Sequence, residues 1–431
     1  MSAKQRLVVV GNGMAGARLV EDVLARGGGD RFDVTVFGDE PHGNYNRILL
    51  SSVLAGSHDP SDIVINSLDW YARRGVRLHA GVRVDEIDVH GRQVRSDSGL
   101  VEPYDALVVA TGSRGIVPRM EGLFDDTTGA FKAGAFVFRT LDDCERMLQC
   151  AAHARCAAVI GGGLLGLEAA RGLRSRGLDV HVLHLKPYVM EVQLDAAGGA
   201  VLLRQLEQMG LHVHLETMTT GVLGDDRVTG LAFKDGSTLE CDMVVIAAGI
   251  SPNVDLAARA GLLIERGIVV GDDLACAGMP DVYAIGECAQ HRGRVYGLVA
   301  PAWEQAQVLA DRLSGRRPDA LYAGSRTSTK LKVAGVSLAV MGDKDPVGDD
   351  DEVVSYAEPS RGIYKKLIVR NNRLVGAIVM GDGASVPALV LAFSDAMPLS
   401  DHRPGLLFPM ATDPEPLDAE MAVGQVAREL F

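Results

Sequence analysis

Cysteine is scarce and scattered in this chain: six residues, at positions 144, 150, 156, 241, 276 and 288, with no CxxC pair. That spacing excludes a disulfide framework and a paired-thiolate zinc site, and the six read as structural thiols. An excess of basic charge is also missing. Lys and Arg number 43 against 56 Asp and Glu, a formal net charge of −13, which excludes a nucleic-acid footprint spread over the surface. The local group Arg73, Arg74 and Arg77 reads as the solvated end of a helix. Aromatic residues make up only 5%, yet hydrophobic content is 47%, the balance of a folded protein built on Val, Leu, Ala and Gly. Long apolar runs are absent too, because Glu168 and glycines interrupt them before they reach the length of a membrane span. The chain opens MSAKQR and enters a strand-like segment at once, so the expectation is a cytoplasmic protein with no signal peptide and neither nucleic acid nor membrane as partner. Its 431 residues call for two or three domains.

What is present is a pair of glycine fingerprints. GNGMAG occupies residues 11–16 and GGGLLG residues 161–166; each follows an apolar run, at 7–10 and 157–160, and each precedes helix-favouring sequence. In a strand–turn–helix setting the first glycine permits the tight turn, the second lets backbone approach a pyrophosphate, and the third lets helix pack on strand. Two such turns imply two dinucleotides, and redox chemistry between them is the natural reason to hold both.

The first fingerprint opens a βαβ unit with a helix over 15–25 and a strand over 34–37; residues 104–113 supply another buried strand ending in the turn Thr111-Gly112. The second unit repeats this with a strand at 157–160, a helix at 164–175, a strand at 180–184, and a closing strand at 241–253 that carries Gly249. The segment 281–289 then returns to the first sheet. From about 321 the pattern alternates around an NNR turn and reads as a strand meander, with the acidic run 348–352 as a solvated loop and 414–431 as a short amphipathic helix. The expected fold is α/β: two Rossmann-like, three-layer dinucleotide-binding domains, at 1–113 with 251–320 and at 114–250, plus a C-terminal α+β domain with an antiparallel sheet at 321–431.

GNGMAG, FGDEPHGNYNRILLS, VIGGGLLGLEAARGL, AIGECAQHRG, VYGLVAPAWEQA and TKLKVAGV fall in an order and spacing that resembles the FAD- and NAD(P)H-dependent pyridine nucleotide-disulfide oxidoreductase superfamily. The nearest likeness is to its branch without a redox disulfide, represented by NADH:rubredoxin reductases and the amino-terminal part of the large subunit of NAD(P)H nitrite reductases. Disulfide reductases of the superfamily carry a CxxxxC pair soon after the first fingerprint, and NADH peroxidases a single reactive cysteine; here NYNRILLSSVLAG holds no sulfur. The resemblance therefore implies an FAD reduced by NADH or NADPH, with electrons leaving to a separate redox protein.

It also implies site residues. FAD falls to Gly11, Gly13, Met14, Ala15 and Gly16, to an acid for the adenosine ribose (Glu40 favoured, Asp39 close behind, since Gly38 follows the strand), and to Val84, Thr111, Gly112 and Gly286. Arg47 and Arg139 lie along the flavin, and Ser52 stands where related ferredoxin reductases have a lysine. Glu287 replaces the usual aspartate that binds the ribityl chain, and Trp303, followed by Glu304, lies on a helix over the flavin. The nicotinamide cofactor falls to Gly161, Gly163, Leu164, Leu165, Gly166 and Gly249. Glu168 sits at the junction of nicotinamide and flavin and, with Arg47, is a candidate catalytic residue. His184 and Lys186 follow the second strand, where an acid would select NAD; the resemblance favours NADH, while Lys186 with Arg174 or Arg176 keeps NADPH open. His212 and His214 alternate on one strand face but lack a third metal ligand, so no metal is expected.

The leading expectation is a reductase for a nitrite or nitrate reductase component or for a rubredoxin- or ferredoxin-type carrier, as monomer or homodimer. Alternatives are an NAD(P)H oxidase reducing oxygen and a nicotinamide-sensing interaction protein akin to apoptosis-inducing factor. Iron-sulfur and sirohaem parts with clustered cysteines are not in this sequence, so nitrite reduction is not expected on this chain alone.

Overall fold

The computed structural model describes residues 3–326, 328–333, 335–395, 398–399 and 404–408. They divide into two compact units, one holding the described residues up to 161 with 171–179 and 219–325, the other holding 162–170, 180–218 and the described residues from 326 onward.

The first unit is built on strand Gln5–Val10, whose residues Leu7, Val8 and Val9 are fully buried. Such an unbroken apolar run, without alternation, is what a strand needs when both faces of its sheet are covered. It pairs in parallel with Phe32–Gly38 on one side and Ala106–Val109 on the other. Arg77–Ala80 extends the sheet beyond Phe32–Gly38, and Met279–Ala284 pairs in parallel with Ala106–Val109. The late segment thus returns to the first sheet as expected. Helix Met14–Ala25 crosses between the first two strands and packs on helix Val299–Leu313. The same unit holds a second parallel set, with Met243–Ile246 between Ala135–Val137 and Cys156–Ile160. Helix Leu141–Ala151 begins with a capping box: Thr140 accepts from the Asp143 amide while Asp143 accepts from the Thr140 amide. Arg73 and Arg74 stand exposed at the end of helix Leu68–Arg73, the solvated role expected for them.

In the second unit, residues 180–183 pair in parallel with Leu211–His214. Helix Ala196–Gln208 is capped by Asp195, which accepts from the Gly198 amide. Five antiparallel strands follow among the described residues, and here one expectation needs correction. They do not form a meander: Arg373–Met380 lies between Val336–Gly342 and Ile363–Arg370, so the last strand is inserted into the sheet's middle. A central place suits its residues 376–380, which are buried on both faces. The acidic run 348–352 is exposed as expected at four of its five positions, and Asp351 is the exception. The Asp351 side chain is 1% exposed and takes two hydrogen bonds of 2.7 Å from Arg370, the last residue of strand Ile363–Arg370. The NNR turn holds as read, with Asn371 and Asn372 at φ +49° and +60°. The expected helix at 414–431 lies outside the described residues. No described helix is long and apolar enough to cross a membrane.

Candidate functional site

Both glycine turns contain the same steric trap. Gly11 has φ +117° and a Cβ there would strike the Ala110 carbonyl oxygen; Gly161 has φ +124° and its Cβ would strike the carbonyl oxygen of Ala247. A Cβ on Gly16 would strike the Gly11 carbonyl, so packing of helix on strand requires that glycine as well. The middle glycines differ. Among the described residues nothing lies within 4 Å of a Cβ on Gly163, and around Gly13 the nearest atom is Arg47 Nε at 3.9 Å. Chain packing does not need these two glycines, which leaves space for a close-approaching ligand as their reason. Helix Met14–Ala25 starts at Gly13 with no side-chain cap and no acid in its first turn, and Leu164–Ser175 also lacks an early acid. Uncapped amides and the positive end of the helix dipole favour an anion there. Met14 and Ala15 open the first helix and Leu164, Leu165 and the buried Gly166 the second.

The two candidate ribose acids separate. Asp39 lines a cavity of about 410 Å³ beside Gly11, Val84 and Thr111, together with Arg83, Arg114, Asn253 and Arg259. Glu40 is absent from that lining: its carboxylate takes the Tyr45 hydroxyl at 2.5 Å and the Arg47 guanidinium. Burial pushes the Tyr45 phenol's pKa up, so it stays a donor to Glu40 while accepting from the Leu141 amide at 3.1 Å. Gly38 explains the displacement, since a Cβ at the strand end would meet Asn12 Cβ at 2.9 Å. Of the two candidate acids, Asp39 lines the cavity and Glu40 is tied to Tyr45 and Arg47.

Arg47 also donates to the Arg139 carbonyl at 3.1 Å. Arg139 in turn joins Glu287 and Ser113: its guanidinium pairs with Glu287 and donates to Ser113 Oγ at 2.8 Å, while Ser113 donates to Glu287 at 2.5 Å. Glu287 follows Gly286, whose amide donates to Gln305 Oε1 at 2.7 Å. Thr111 and Gly112 are stitched to Asn253 by three hydrogen bonds of 2.9 Å. Gly249 has φ +112°. Ser52 is half-buried on the short helix Leu50–Ala55. Trp303 is 8% exposed, donates its indole N–H to the Met14 carbonyl at 3.1 Å and carries the Arg18 guanidinium over its ring. It fastens the fingerprint helix to its neighbour. Glu304 accepts from Ser325 at 2.6 Å.

In the second unit Glu168 is half-buried on the fingerprint helix and Lys186 is exposed. His184 is buried, its Nδ1 accepting the Gly162 amide at 3.0 Å. A third histidine joins the two read from sequence: His181 lies opposite His212 across the paired strands, its ring 4.8 Å from that of His212, and its Nδ1 is 2.9 Å from His214 Nε2. Sequence reasoning passed over Tyr45, Ser113, Asn253 and His181. Only Tyr45, two residues before Arg47, had a local signal. The cysteines are free, and burial pushes Cys144 and Cys156 up to about 11 and Cys241 and Cys276 up to about 12.

The sequence profile of the pyridine nucleotide-disulphide oxidoreductase family matches residues 5–306. The chain belongs to that family. A second profile, of the rubredoxin NAD+ reductase C-terminal domain, matches residues 328–393. The chain is 46% identical over 381 residues to a nitrite reductase [NAD(P)H] of Bacillus subtilis, covering 88% of this chain and 46% of the relative. It is 44% identical over 382 residues to the assimilatory nitrate reductase electron transfer subunit of the same organism, covering 88% and 48%. It thus spans about half the length of these curated relatives. Among solved structures it resembles a ferredoxin reductase from Rhodopseudomonas palustris, with TM-score 0.78, 27% identity, and 89% and 93% of the two chains covered. The fold also matches NADH:rubredoxin oxidoreductase from Clostridium acetobutylicum, TM-score 0.75 at 24% identity, covering 93% and 98%. The chain has that family's build, with parallel strand–glycine–helix units and a C-terminal antiparallel sheet. The open cradles at Gly13 and Gly163 have room for the close approach of a dinucleotide.

Proposed function

We propose that this protein is a cytoplasmic electron-transfer reductase that takes hydride from a nicotinamide dinucleotide and passes electrons to a separate redox protein. The acceptor is an assimilatory nitrite or nitrate reductase component or a rubredoxin- or ferredoxin-type carrier. The observation that carries the reading is the duplicated turn whose middle glycine, Gly13 or Gly163, packing leaves free. In this reading residues 1–113 and 251–320 hold FAD, 114–250 hold NAD(P)H, and 321–431 form the C-terminal domain.

Hydride transfer between nicotinamide and flavin is the chemistry the bound pair supplies, so the chain's task is placement, desolvation and electrostatics. Gly13 and the uncapped helix after it take the FAD pyrophosphate, and Asp39 accepts from its ribose hydroxyls. Arg139, held by Glu287 and Ser113, and Arg47, held by Glu40, present fixed positive charge along the flavin's path. Gly163 admits the second pyrophosphate, and Glu168 lies two residues beyond Gly166 on the helix that faces it. An exit through a protein disulfide finds little support: burial pushes the Cys144 and Cys156 thiols up to about 11 and those of Cys241 and Cys276 up to about 12, far from thiolate at neutral pH.

Relatives named for nitrite, nitrate, rubredoxin and ferredoxin systems support the acceptor class. The test is anaerobic stopped-flow reduction followed by mixing with rubredoxin, ferredoxin or a nitrite reductase haem subunit. Yellow protein reduced by NADH or NADPH and rapidly reoxidised by one of these carriers is the expected result. Fast NADH consumption in air that no carrier raises would overturn the acceptor reading in favour of an oxidase.

A further inference from the structure

In a βαβ dinucleotide site the acid that reads the adenosine ribose stands at the end of the second strand, beside the glycine turn. Here that strand, Asp179–Leu183, is followed by His184, whose ring cannot do this work. Its Nδ1 is taken by the Gly162 amide at 3.0 Å, which puts the remaining proton on Nε2, and Nε2 donates to the Tyr188 carbonyl at 3.0 Å. The ring also covers Gly162 so closely that a Cβ there would meet His184 Cγ at 2.9 Å. The loop that leaves the strand is pinned to the same glycine a second time: the Met190 amide, at φ +56°, donates to the Gly162 carbonyl at 2.9 Å. The next residue is Glu191. Its carboxylate lies 3.2 Å from His184 Nε2, and its side chain is 30% exposed. A carboxylate is thus carried back to the glycine turn by a loop, seven residues after the position where a strand-end acid would sit.

We propose that Glu191, carried by the loop to 3.2 Å from His184 Nε2, is the residue that selects NADH over NADPH. This rests on the reading of the second fingerprint as the nicotinamide site. One carboxylate oxygen faces the imidazole, leaving the other to accept from the ribose 2′- or 3′-hydroxyl. A 2′-phosphate would place two negative charges against it, with a like-charge penalty. Lys186 is the loop's sole cation; its side chain is exposed, while its backbone carbonyl is tied to the Glu216 amide at 3.3 Å.

The experiment compares flavin reduction by NADH and NADPH in wild type, Glu191→Gln and Glu191→Lys, and measures binding of ADP-ribose and its 2′-phosphate by calorimetry. Wild type should prefer NADH by about tenfold or more in kcat/KM and bind ADP-ribose tighter than its 2′-phosphate by a similar factor. Glu191→Gln should narrow both ratios and Glu191→Lys invert them, while dithionite still reduces every variant. Ratios that do not move in either variant, or a wild type that prefers NADPH, would overturn the role of Glu191 and leave the reductase reading standing. A wild-type flavin that neither nucleotide reduces would overturn both.

Discussion

Glycine does two different jobs within three residues of chain. Gly161 is required by the fold, because both its positive φ and the Ala247 carbonyl forbid a side chain. Around Gly163 no described residue lies within 4 Å of a Cβ, so a side chain there would obstruct only a ligand bound at the turn. Gly163→Val should therefore melt within about 2 °C of wild type, as an exposed change worth about 0.5 kcal/mol or less would. It should nonetheless lose reduction by NADH while dithionite still bleaches the flavin. Gly161→Val should lose about 3 kcal/mol or more by urea unfolding, combining backbone strain with a buried collision. Equal stability losses in the two variants would mean that Gly163 also serves packing.

Among the elements, helix Ala196–Gln208 depends most on one side chain. Asp195 caps it through the Gly198 amide at 2.9 Å and also takes the Tyr364 hydroxyl at 2.6 Å and Lys366 Nζ at 2.7 Å. Burial alone would raise this carboxyl's pKa, but the bonds from Lys366, Tyr364 and Gly198 outweigh it and hold the group below its ordinary value. Removing a cap costs about 1 kcal/mol, and stripping the partner from a buried ammonium costs about 3–5 kcal/mol. Lys366 retains the Lys344 carbonyl at 2.8 Å and Asp345 at 3.8 Å, which softens the second figure. Asp195→Ala should thus lose about 3 kcal/mol in urea unfolding and Asp195→Asn, which keeps the cap, about half of that. The same strand region shows why topology was hard to read: alternation and the Asn371-Asn372 turn identify a hairpin, but nothing local says that Arg373–Met380 will be inserted next to Val336–Gly342.

For the whole molecule, FAD binding and folding are one equilibrium. Adding free FAD at about 100 times its Kd should stabilise the apoprotein by about 2.7 kcal/mol, read as a rising Tm in a thermal scan. A Tm indifferent to FAD would remove the first turn as its site. The strand–glycine–helix units were legible because they are local: apolar run, three glycines and periodicity lie within twenty residues of one another. The acid pairing was not. Glu40 is claimed by Tyr45 and Arg47, five and seven positions on, and Asp39 is the acid that lines the cavity. His181, thirty-one positions before His212, and Asn253, more than a hundred after Thr111, are brought in by strand pairing and chain return. Periodicity carries no information about either.

Of the chain's two tryptophans, one is fastened to the start of the first fingerprint helix by the bond from its indole N–H to Met14. The other, Trp70, lies edge-on to Tyr71 on a separate short helix. The protein therefore carries its own optical gauge: emission from Trp303, isolated by Trp70→Phe, originates beside Met14, one residue from Gly13, and quenching on adding FAD would report, without any added dye, that this turn is the flavin's site.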